Sequence, residues 1–543
     1  MGVFGSAAKV RPDGPVTGPG EARLHAARNE FESFQIAVNG PLRGLEVSLR
    51  APFEGPGGAT LGGEHVTIYR VDYLEVLRAS DPEGAPGRWP DPLVPTFDPL
   101  VHEVRSAFPI SVPAGENRLA WIDIHVPPDA VPGTYRGRIH VRGEGFATTV
   151  PVELVVVDLE LPSTTTLRAA WGMGDEVCAP LGIDGCLEDP WLAASVRALF
   201  VRSALDNRVG IGHPHTTRIS PATQEGLAGF RDHLLPFLHG TAPTRLEGAR
   251  LTTFQVNQVS DRNIGPWEQE ASEQGFADRA FVWSCDEPFF FPVYADPVHN
   301  WPFCVDALES DREIWEEVPK LVTAHIQTVD AAGTSELIDI LVVNLEFIHG
   351  PDDSPWAVGD QRPLYDRFLD RGDRPKELWL YSACGSHGCT RNDDPYTLGW
   401  AGGYQIDGRP SKVRALPWLA FLYRASGLLY YDTVFQLASA WEDQHHYDGN
   451  GEGTLFYPGT PDRIGGSTPI PIESMRLKHL RDGFEDHELL VFLRDNGLEA
   501  EARRIARDLF PAPFDADRSD EEIQAARREL LRTAGSITGG PVP

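Results

Sequence analysis

The sequence has few lysines and no long apolar run. Five of its 48 basic residues are lysine, and no segment approaches the ~18 consecutive apolar residues that a membrane-spanning helix requires. We therefore predict no transmembrane segment. Residues 1–9 lack a charged region followed by an apolar stretch, so we expect no signal peptide in this sequence. Periplasmic, secreted and cytoplasmic locations all stay open.

The sequence also lacks the surplus of positive charge that binds polyanions. Its formal net charge is -31, so the chain would repel the phosphates of a nucleic acid. Neutral or cationic partners are favoured instead. A length of 543 residues is too great for one ordinary hydrophobic core. We therefore expect two main domains, and the sequence does not predict an oligomeric state.

Cysteine is scarce, with six residues in the whole chain. Two pairs are close in sequence, Cys178 with Cys186 and Cys384 with Cys389, and an even number permits disulfides without establishing them. The loop between Cys384 and Cys389 could also suggest zinc. No second pair of ligands occurs at zinc-finger spacing, so we predict no metal and favour either a disulfide or two free thiols.

The first domain, residues 1–165, is predicted to be an antiparallel β-sandwich. Apolar and polar residues alternate in short runs that are separated by turn residues, which is typical of sheets buried on one face. The clearest runs are 34–38, 45–49, 122–126 and 150–156. No catalytic pattern occurs in this domain, and we expect it to serve packing or positioning, with sugar binding as the alternative.

The second domain, residues 166–470, is predicted to be a (β/α)8 barrel of the TIM type. After residue 162, apolar residues at helical spacing alternate with short apolar runs, as in successive βαβ units. No Gly-x-Gly-x-x-Gly turn or Walker loop accompanies the runs, so we predict no nucleotide and no other cofactor. The predicted strands are 167–172, 250–259, 280–285, 321–327, 338–344, 377–383 and 427–432, with a weak eighth near 209–213.

The rest of the chain, residues 471–543, is predicted to form helices packed around the barrel. Residues 470–496, 499–509 and 520–533 show helical spacing of apolar residues. The segment 441–466 before them is long and rich in glycine, which indicates a lid or a binding loop. Its adjacent histidines, His445 and His446, are expected to be solvated or hydrogen-bonded.

The strand 280–285 ends in the most informative residues of the chain. Asp286 and Glu287 follow it directly, and Pro288 ends the strand because it cannot donate a ladder hydrogen bond. If both carboxylates reach one pocket, one can donate a proton while the other stays ionised. A polar corner between strand and loop would give the same local pattern.

Other polar and aromatic residues follow the predicted strands, where the active site of such a barrel lies. Carboxylates, amides and flat rings that converge on one rim are typical of a carbohydrate subsite. The predicted substrate contacts are Trp171, Asn257, Asn344, Glu346, Tyr381, Trp400, Tyr431 and Asp432.

Several motifs together resemble glycoside hydrolase family 123 and its catalytic-domain-like bacterial relatives. They span most of the chain, and the last two are the most specific. The motifs are 27–35 (ARNEFESFQ), 285–288 (CDEP), 427–433 (GLLYYDT), 451–459 (GEGTLFYPG) and 476–486 (RLKHLRDGFED).

This resemblance implies a retaining exo-β-N-acetylgalactosaminidase in which the 2-acetamido group of the substrate is the nucleophile. Glu287 matches the general acid/base of the family, and Asp286 matches the residue that orients the acetamido nitrogen. Such substrate-assisted enzymes are exceptions to the usual pair of opposed carboxylates.

Two other functions stay open. One is a glycosidase for a sugar without an acetamido group, with Asp432 or Glu346 as the nucleophile. The other is a carbohydrate-binding protein without turnover. The adjacent Asp286 and Glu287 argue against the second of these, since a binding module does not need a costly pair of like charges.

Overall fold

The computed structural model describes residues 1–256, 265–289, 299–383, 398–447 and 449–539. Its N-terminal part consists of two packed β-sheets, as predicted. The strands of this part are β1 (Gly2–Gly5), β2 (Ala22–Arg28), β3 (Glu30–Asn39), β4 (Leu42–Leu49), β5 (Phe53–Glu54), β6 (Thr60–Leu61), β7 (Val66–Val76), β8 (Gly87–Pro95), β9 (Ile110–Val112), β10 (Asn117–Val126), β11 (Gly133–Gly143) and β12 (Phe146–Glu160).

The two sheets bury the alternating apolar residues that predicted them. One sheet contains β1, β3, β10, β7 and β8 in that order, and the other contains β2, β12, β11, β4 and β9. Phe34 and Ile122 from the first sheet pack against Val141 and Leu154 from the second, and all four are almost fully buried. Among the described pairs in these sheets, only β2 and β12 run parallel. The antiparallel part of the prediction is therefore confirmed.

The middle of the chain forms a nearly closed parallel sheet of seven strands. In order around the sheet these are β13, β21, β20, β17, β16, β15 and β14. The bounds of the strands after β12 are β13 (Arg168–Trp171), β14 (Phe254–Gln255), β15 (Ala280–Asp286), β16 (Lys320–Thr323), β17 (Ile340–Asn344), β18 (His349–Gly350), β19 (Gly359–Asp360), β20 (Glu377–Tyr381), β21 (Gly427–Tyr430), β22 (His445–His446), β23 (Gly449–Asn450), β24 (Phe456–Gly459) and β25 (Ile470–Ser474).

The gap between the edge strands β13 and β14 is bridged by the weak eighth segment, 209–213. The Gly212 amide donates to the Trp171 carbonyl at 2.9 Å, and the Gln255 amide donates to the Gly212 carbonyl at 2.6 Å. Both glycines of this segment lie close to β13, since a Cβ on Gly210 would contact the Ala169 carbonyl oxygen at 2.8 Å. The structure thus gives seven strands and one bridging segment, and the count of eight strands stays a prediction.

Helices alternate with the strands of this sheet, which gives a β plus α/β fold. None of the helices in the described parts of the chain is long and apolar enough to cross a bilayer. The helices are α1 (Pro190–Asp206), α2 (Gln224–Gly229), α3 (Leu235–His239), α4 (Gly265–Glu273), α5 (Trp301–Ile314), α6 (Ile326–Ala332), α7 (Leu345–Ile348), α8 (Arg362–Leu369), α9 (Pro410–Leu422), α10 (Pro461–Ile464), α11 (Met475–Leu493), α12 (Glu499–Leu509) and α13 (Asp520–Thr538).

The prediction of a helix over 470–496 is wrong in its first turn. Residues Ile470–Ser474 form strand β25, which pairs with β24 and extends the first sandwich sheet beyond β8. Helix α11 begins only at Met475, where the Ser474 hydroxyl accepts a hydrogen bond from the Leu477 amide. Sequence spacing missed this boundary because isoleucines at 470 and 472 fit both a strand and a buried helix face.

Helix α11 joins the two halves of the molecule through buried ion pairs. The Arg481 guanidinium donates to both carboxylate oxygens of Asp123 on β10, at 2.9 and 3.0 Å. It also donates to the Ser33 hydroxyl on β3 at 3.0 Å. Both charged side chains are fully buried, so this ion pair between α11 and the sandwich has no access to solvent.

The described part of the chain contains two disulfides. Cys178 is bonded to Cys186, which settles one of the pairs left open by the sequence. Cys285 at the end of β15 is bonded to Cys304 in α5, a pairing that the sequence did not indicate. The second predicted pair, Cys384 and Cys389, lies outside the described residues.

Candidate active site

The carboxyl end of β15 presents two adjacent carboxylates. The Asp286 carboxylate accepts a hydrogen bond of 2.5 Å from the Thr323 hydroxyl at the end of β16. The Glu287 amide donates to the same hydroxyl at 2.9 Å, and Glu287 has a positive φ of 43°. This backbone conformation is unfavourable for a residue with a side chain and is typical of functional sites. Thr323 therefore ties the end of β15 to the neighbouring strand.

Glu287 is also held by a tyrosine from β20. The Tyr381 hydroxyl donates to Glu287 Oε1 at 2.5 Å, and Tyr381 is buried. Burial raises the pKa of Tyr381 well above its usual value, and the charges of Glu287 and Asp286 raise it further. The phenol consequently stays protonated and remains a hydrogen-bond donor to the carboxylate.

Asp286, Glu287 and Tyr381 line one cavity of about 220 Å³ at the mouth of the barrel. The relaxation of strand alternation at Glu287 explains how neighbouring side chains reach the same space. The cavity is lined by Trp283, Asp286, Glu287, His299, Thr323, Tyr381, Ser382, Ala383, Leu429, Tyr431, Tyr447 and Glu452.

A second cavity of about 320 Å³ adjoins the first. The two cavities share Trp283, Leu429 and Tyr431 in their walls. Two predicted contacts, Trp171 and Asp432, line this second cavity together with Tyr431. Asp432 Oδ1 accepts hydrogen bonds from three backbone amides, those of Gly174, Thr433 and Val434.

The other predicted contacts lie elsewhere. Asn344 and Glu346 at the end of β17 are fully buried, and they are not among the residues that line the two cavities. Trp400 is also fully buried and packs edge-on against Phe514, with ring centroids 5.8 Å apart. Substrate contacts by Asn344, Glu346 and Trp400 therefore stay predictions. Asn257 lies outside the described residues.

One carboxyl group in the wall of the first cavity was missed by sequence reasoning. Glu452 comes from the glycine-rich segment that was predicted only as a loop, and it is buried in the wall of the first cavity. Burial raises the pKa of its carboxyl to about 7, although the Tyr430 hydroxyl and the charge of Arg476 act in the opposite direction. The only sequence signal was a carboxylate within the motif 451–459. The site therefore contains a third carboxyl group that is half protonated near neutral pH.

Glu452 makes the folded state less stable as the pH rises. Its pKa is about 7 when folded but ordinarily 4.5, so the folded chain keeps a proton that the unfolded chain releases in this window. Between pH 4.5 and 7 we expect the wild type to lose up to about 3 kcal/mol of stability relative to Glu452→Gln. Denaturation of both proteins at several pH values measures this difference. A difference that stays constant across the window would contradict the prediction.

The Tyr431 side chain packs directly against the backbone of Gly453. A Cβ on Gly453 would collide with the Tyr431 hydroxyl, and Gly453 has a φ of +70°. We expect Gly453→Ala to cost about 1–3 kcal/mol more than Gly497→Ala, because only the first change also displaces a packed ring. Gly497 is the matched control, with a φ of +82° and nothing within 4 Å of an added Cβ. Equal losses in melting experiments would show that Gly453 does not restrain Tyr431.

An aromatic cluster includes Tyr447, which lines the first cavity. Phe435 and Tyr447 are each 45% exposed, which is high for large rings. The His446 ring stacks on Phe435 with centroids 4.4 Å apart and lies 3.9 Å from the Tyr447 ring. His446 was expected to be solvated or hydrogen-bonded, and the structure places it between these two rings.

The fold is similar to that of a solved glycoside hydrolase. No family model matches the chain, and no curated protein matches its sequence. A family 123 glycoside hydrolase from Clostridium perfringens, solved in a study of glycolipid glycan hydrolysis, superposes with a TM-score of 0.68 over 99% of both chains at 13% identity. The predicted resemblance is therefore confirmed for the fold.

Other glycosidases are much less similar. A β-glucuronidase from Bacteroides uniformis has a TM-score of 0.27 at 12% identity, over 85% of this chain and 48% of its own. A GH10 xylanase from termite gut has a TM-score of 0.28 at 10% identity, over 66% of this chain and 86% of its own. These two structures share too little with the chain to inform its function.

Proposed function

We propose that this chain is a retaining glycoside hydrolase of the exo-β-N-acetylgalactosaminidase type, which uses the 2-acetamido group of its substrate as nucleophile. The observation that carries the proposal is that Asp286 and Glu287 line one cavity at the carboxyl end of the barrel sheet. The cavity also has aromatic walls, which suit the apolar faces of a sugar ring. Glycolipid glycans, hydrolysed by the Clostridium protein, are a natural substrate class to test.

In the first step Glu287 acts as the general acid. Its proton passes to the glycosidic oxygen while the bond from that oxygen to C1 breaks. The acetamido oxygen of the same sugar forms a new bond to C1, which gives a cyclic oxazolinium ion. Asp286 accepts a hydrogen bond from the acetamido nitrogen and so stabilises the positive charge that develops there.

In the second step Glu287 acts as the general base. It takes a proton from a water molecule, whose oxygen attacks C1 and breaks the bond to the acetamido oxygen. Two displacements at C1 give net retention of the anomeric configuration. Tyr381 and Thr323 each donate a hydrogen bond of 2.5 Å to these carboxylates and would hold them in position through both steps.

The geometry does not favour a carboxylate nucleophile from the enzyme. One oxygen of Asp432 is occupied by three backbone amides, which hold the carboxyl group in a fixed orientation. Glu346 is fully buried and is not part of the described cavity wall. A substrate that supplies its own nucleophile needs neither group.

A panel of aryl glycosides tests the proposal. We expect hydrolysis of the aryl 2-acetamido-2-deoxy-β-galactoside to exceed that of the aryl β-galactoside by at least about 100-fold, because only the first carries a nucleophile. A thiazoline analogue of the oxazolinium ion should inhibit, and the first product seen by proton NMR should be the β-anomer. Efficient cleavage of the plain galactoside with a glycosyl group trapped on Asp432 would support the carboxylate-nucleophile alternative. Sugar binding measured by calorimetry, with no product from any glycoside, would indicate a binding protein.

A further inference from the structure

Two polar atoms in the wall of the first cavity have unused hydrogen-bonding capacity. They are Oε2 of Glu452 and the hydroxyl oxygen of Tyr431, and both atoms are buried. Within the described parts of the chain, neither has a hydrogen-bond partner. Leaving a buried polar group unpaired costs folding free energy, so such groups are rare and call for an explanation.

The other half of the Glu452 carboxyl is firmly held. Oε1 accepts a hydrogen bond of 2.9 Å from the Tyr430 hydroxyl, and that hydroxyl accepts one of 2.7 Å from the Gly453 amide. The Tyr430 ring in turn packs on Tyr404, with centroids 4.0 Å apart. These contacts fix the carboxyl group and leave Oε2 as its one unsatisfied atom, within a wall that Glu452 shares with Glu287.

The backbone next to Glu452 also approaches Tyr431. A Cβ on Gly453, the residue after Glu452, would collide with the Tyr431 hydroxyl. The Glu452 charge is also a cause, after burial, of the raised pKa of Tyr431. A carboxyl group and a phenol that line the same cavity can accept from and donate to a single sugar hydroxyl, which is itself both donor and acceptor.

We propose that Glu452 and Tyr431 form a subsite that recognises one free ring hydroxyl of the sugar bound at Asp286 and Glu287. This inference rests on the proposed function and deepens it. A hydroxyl that is bound by both groups cannot carry a further glycosyl group, so the subsite selects a terminal, unsubstituted sugar. It also rejects a sugar that lacks this hydroxyl, because both polar atoms would then stay unpaired.

The test compares sugar variants with enzyme variants. The substrates are the aryl 2-acetamido-2-deoxy-β-galactoside and its 3-, 4- and 6-deoxy analogues. With the wild type, we expect one analogue to lose about 10²-fold or more in kcat/KM. Glu452→Met should lower kcat/KM for the full substrate by a similar factor. For that same deoxy analogue, the substitution should lower kcat/KM little further, because the contact is already missing. Glu452→Gln keeps hydrogen-bonding atoms and should restore most of the activity on the full substrate.

Two further variants separate recognition from folding. Asp407→Asn is the matched control, because Asp407 is also a buried carboxyl with a raised pKa but does not line the cavity. We expect any loss of kcat/KM in Asp407→Asn to be the same for the full substrate and for all three deoxy analogues. Tyr431→Phe removes only a hydroxyl and should reproduce the pattern of Glu452→Met, which keeps the test valid if Glu452→Met fails to fold.

The outcomes distinguish this inference from the proposed function. Turnover by the wild type, with equal losses on all sugars for both Glu452→Met and Tyr431→Phe, would overturn the subsite alone. If the wild type cleaves no glycoside, calorimetry with N-acetylgalactosamine and its deoxy forms measures the subsite without turnover. Binding that depends on one hydroxyl and on Glu452 would then support the subsite and reject the hydrolase, whereas no dependence would reject both.

Discussion

Glu287→Gln should lower kcat/KM for an aryl 2-acetamido-2-deoxy-β-galactoside by roughly 10²–10⁴-fold, the usual contribution of a general acid/base. The amide has the shape of the carboxyl group but cannot transfer a proton to the leaving oxygen. Tyr381 can still donate to the amide oxygen, so the change should leave the fold intact. Initial rates with a poor leaving group measure the effect, and unchanged turnover would end the assignment of Glu287.

The chemistry of the substrate gives this variant a distinctive signature. A dinitrophenyl leaving group departs without protonation, so its release should be much less impaired than that of a simple phenyl group. Azide attacks C1 without a general base, so it should speed the second step. With the dinitrophenyl substrate, azide should therefore restore turnover and give the β-glycosyl azide. A purely structural role for Glu287 would produce neither effect, because damage to the site would slow all substrates alike.

Glu377→Gln provides the matched control for this experiment. Glu377 begins strand β20, so it lies at the opposite end of the strand from Tyr381. Its carboxylate accepts a hydrogen bond of 2.8 Å from the Trp379 indole, as a structural carboxylate would. We expect this substitution to leave the kinetic parameters within about twofold of the wild type. A large loss here would mean that carboxyl-to-amide changes damage the barrel in general.

Strand β15 could be predicted well from the sequence for a simple physical reason. Strand β15 is mostly buried and pairs in parallel with β14 on one side and β16 on the other, and such strands are apolar runs that end where the polar mouth begins. The position of Asp286 and Glu287 after this run was enough to expect them at the barrel mouth. The resemblance to a hydrolase family gave the same pair, and the structure places both on one cavity.

Other parts of the site could not be predicted because they depend on burial. Asn344 follows its strand exactly as Asp286 does, yet it is fully buried where α7 begins. Glu452 lies in a glycine-rich segment whose path is set by contacts with Tyr430 and Arg476, residues distant in sequence. Local pattern reveals which residues end a strand, but only the packed structure reveals which of them face open space.

The buried ion pair between α11 and the sandwich should have the largest effect on stability. We expect Arg481→Met to lower the free energy of unfolding by about 3–5 kcal/mol, because it leaves the buried Asp123 with fewer partners. Burial alone would raise the pKa of Asp123, but the charges of Arg481, Lys478 and Arg245 hold it well below its usual value. The expected loss of stability is the cost of leaving the Asp123 carboxylate buried without its main partner. Urea denaturation followed by tryptophan fluorescence measures it.

Arg504→Met is the control for this substitution. Arg504 pairs with Glu501 and Asp508 on the exposed face of α12, where ion pairs contribute little. We expect this change to cost less than about 1 kcal/mol. If Arg481→Met also costs less than about 1 kcal/mol, water or a shifted side chain must replace Arg481 as the partner of Asp123. The stability of the interface would then not depend on this ion pair.

A double substitution separates the pair from the packing around it. Asp123→Asn removes the charge that Arg481→Met would strand, so the two changes together should cost less than the sum of the single losses by about 1–3 kcal/mol. Lys478 also contacts Asp123, at 3.4 Å, so the double variant keeps one cation near a neutral amide and should not recover fully. Additive losses would contradict a direct interaction and would assign the stability of this interface to shape alone.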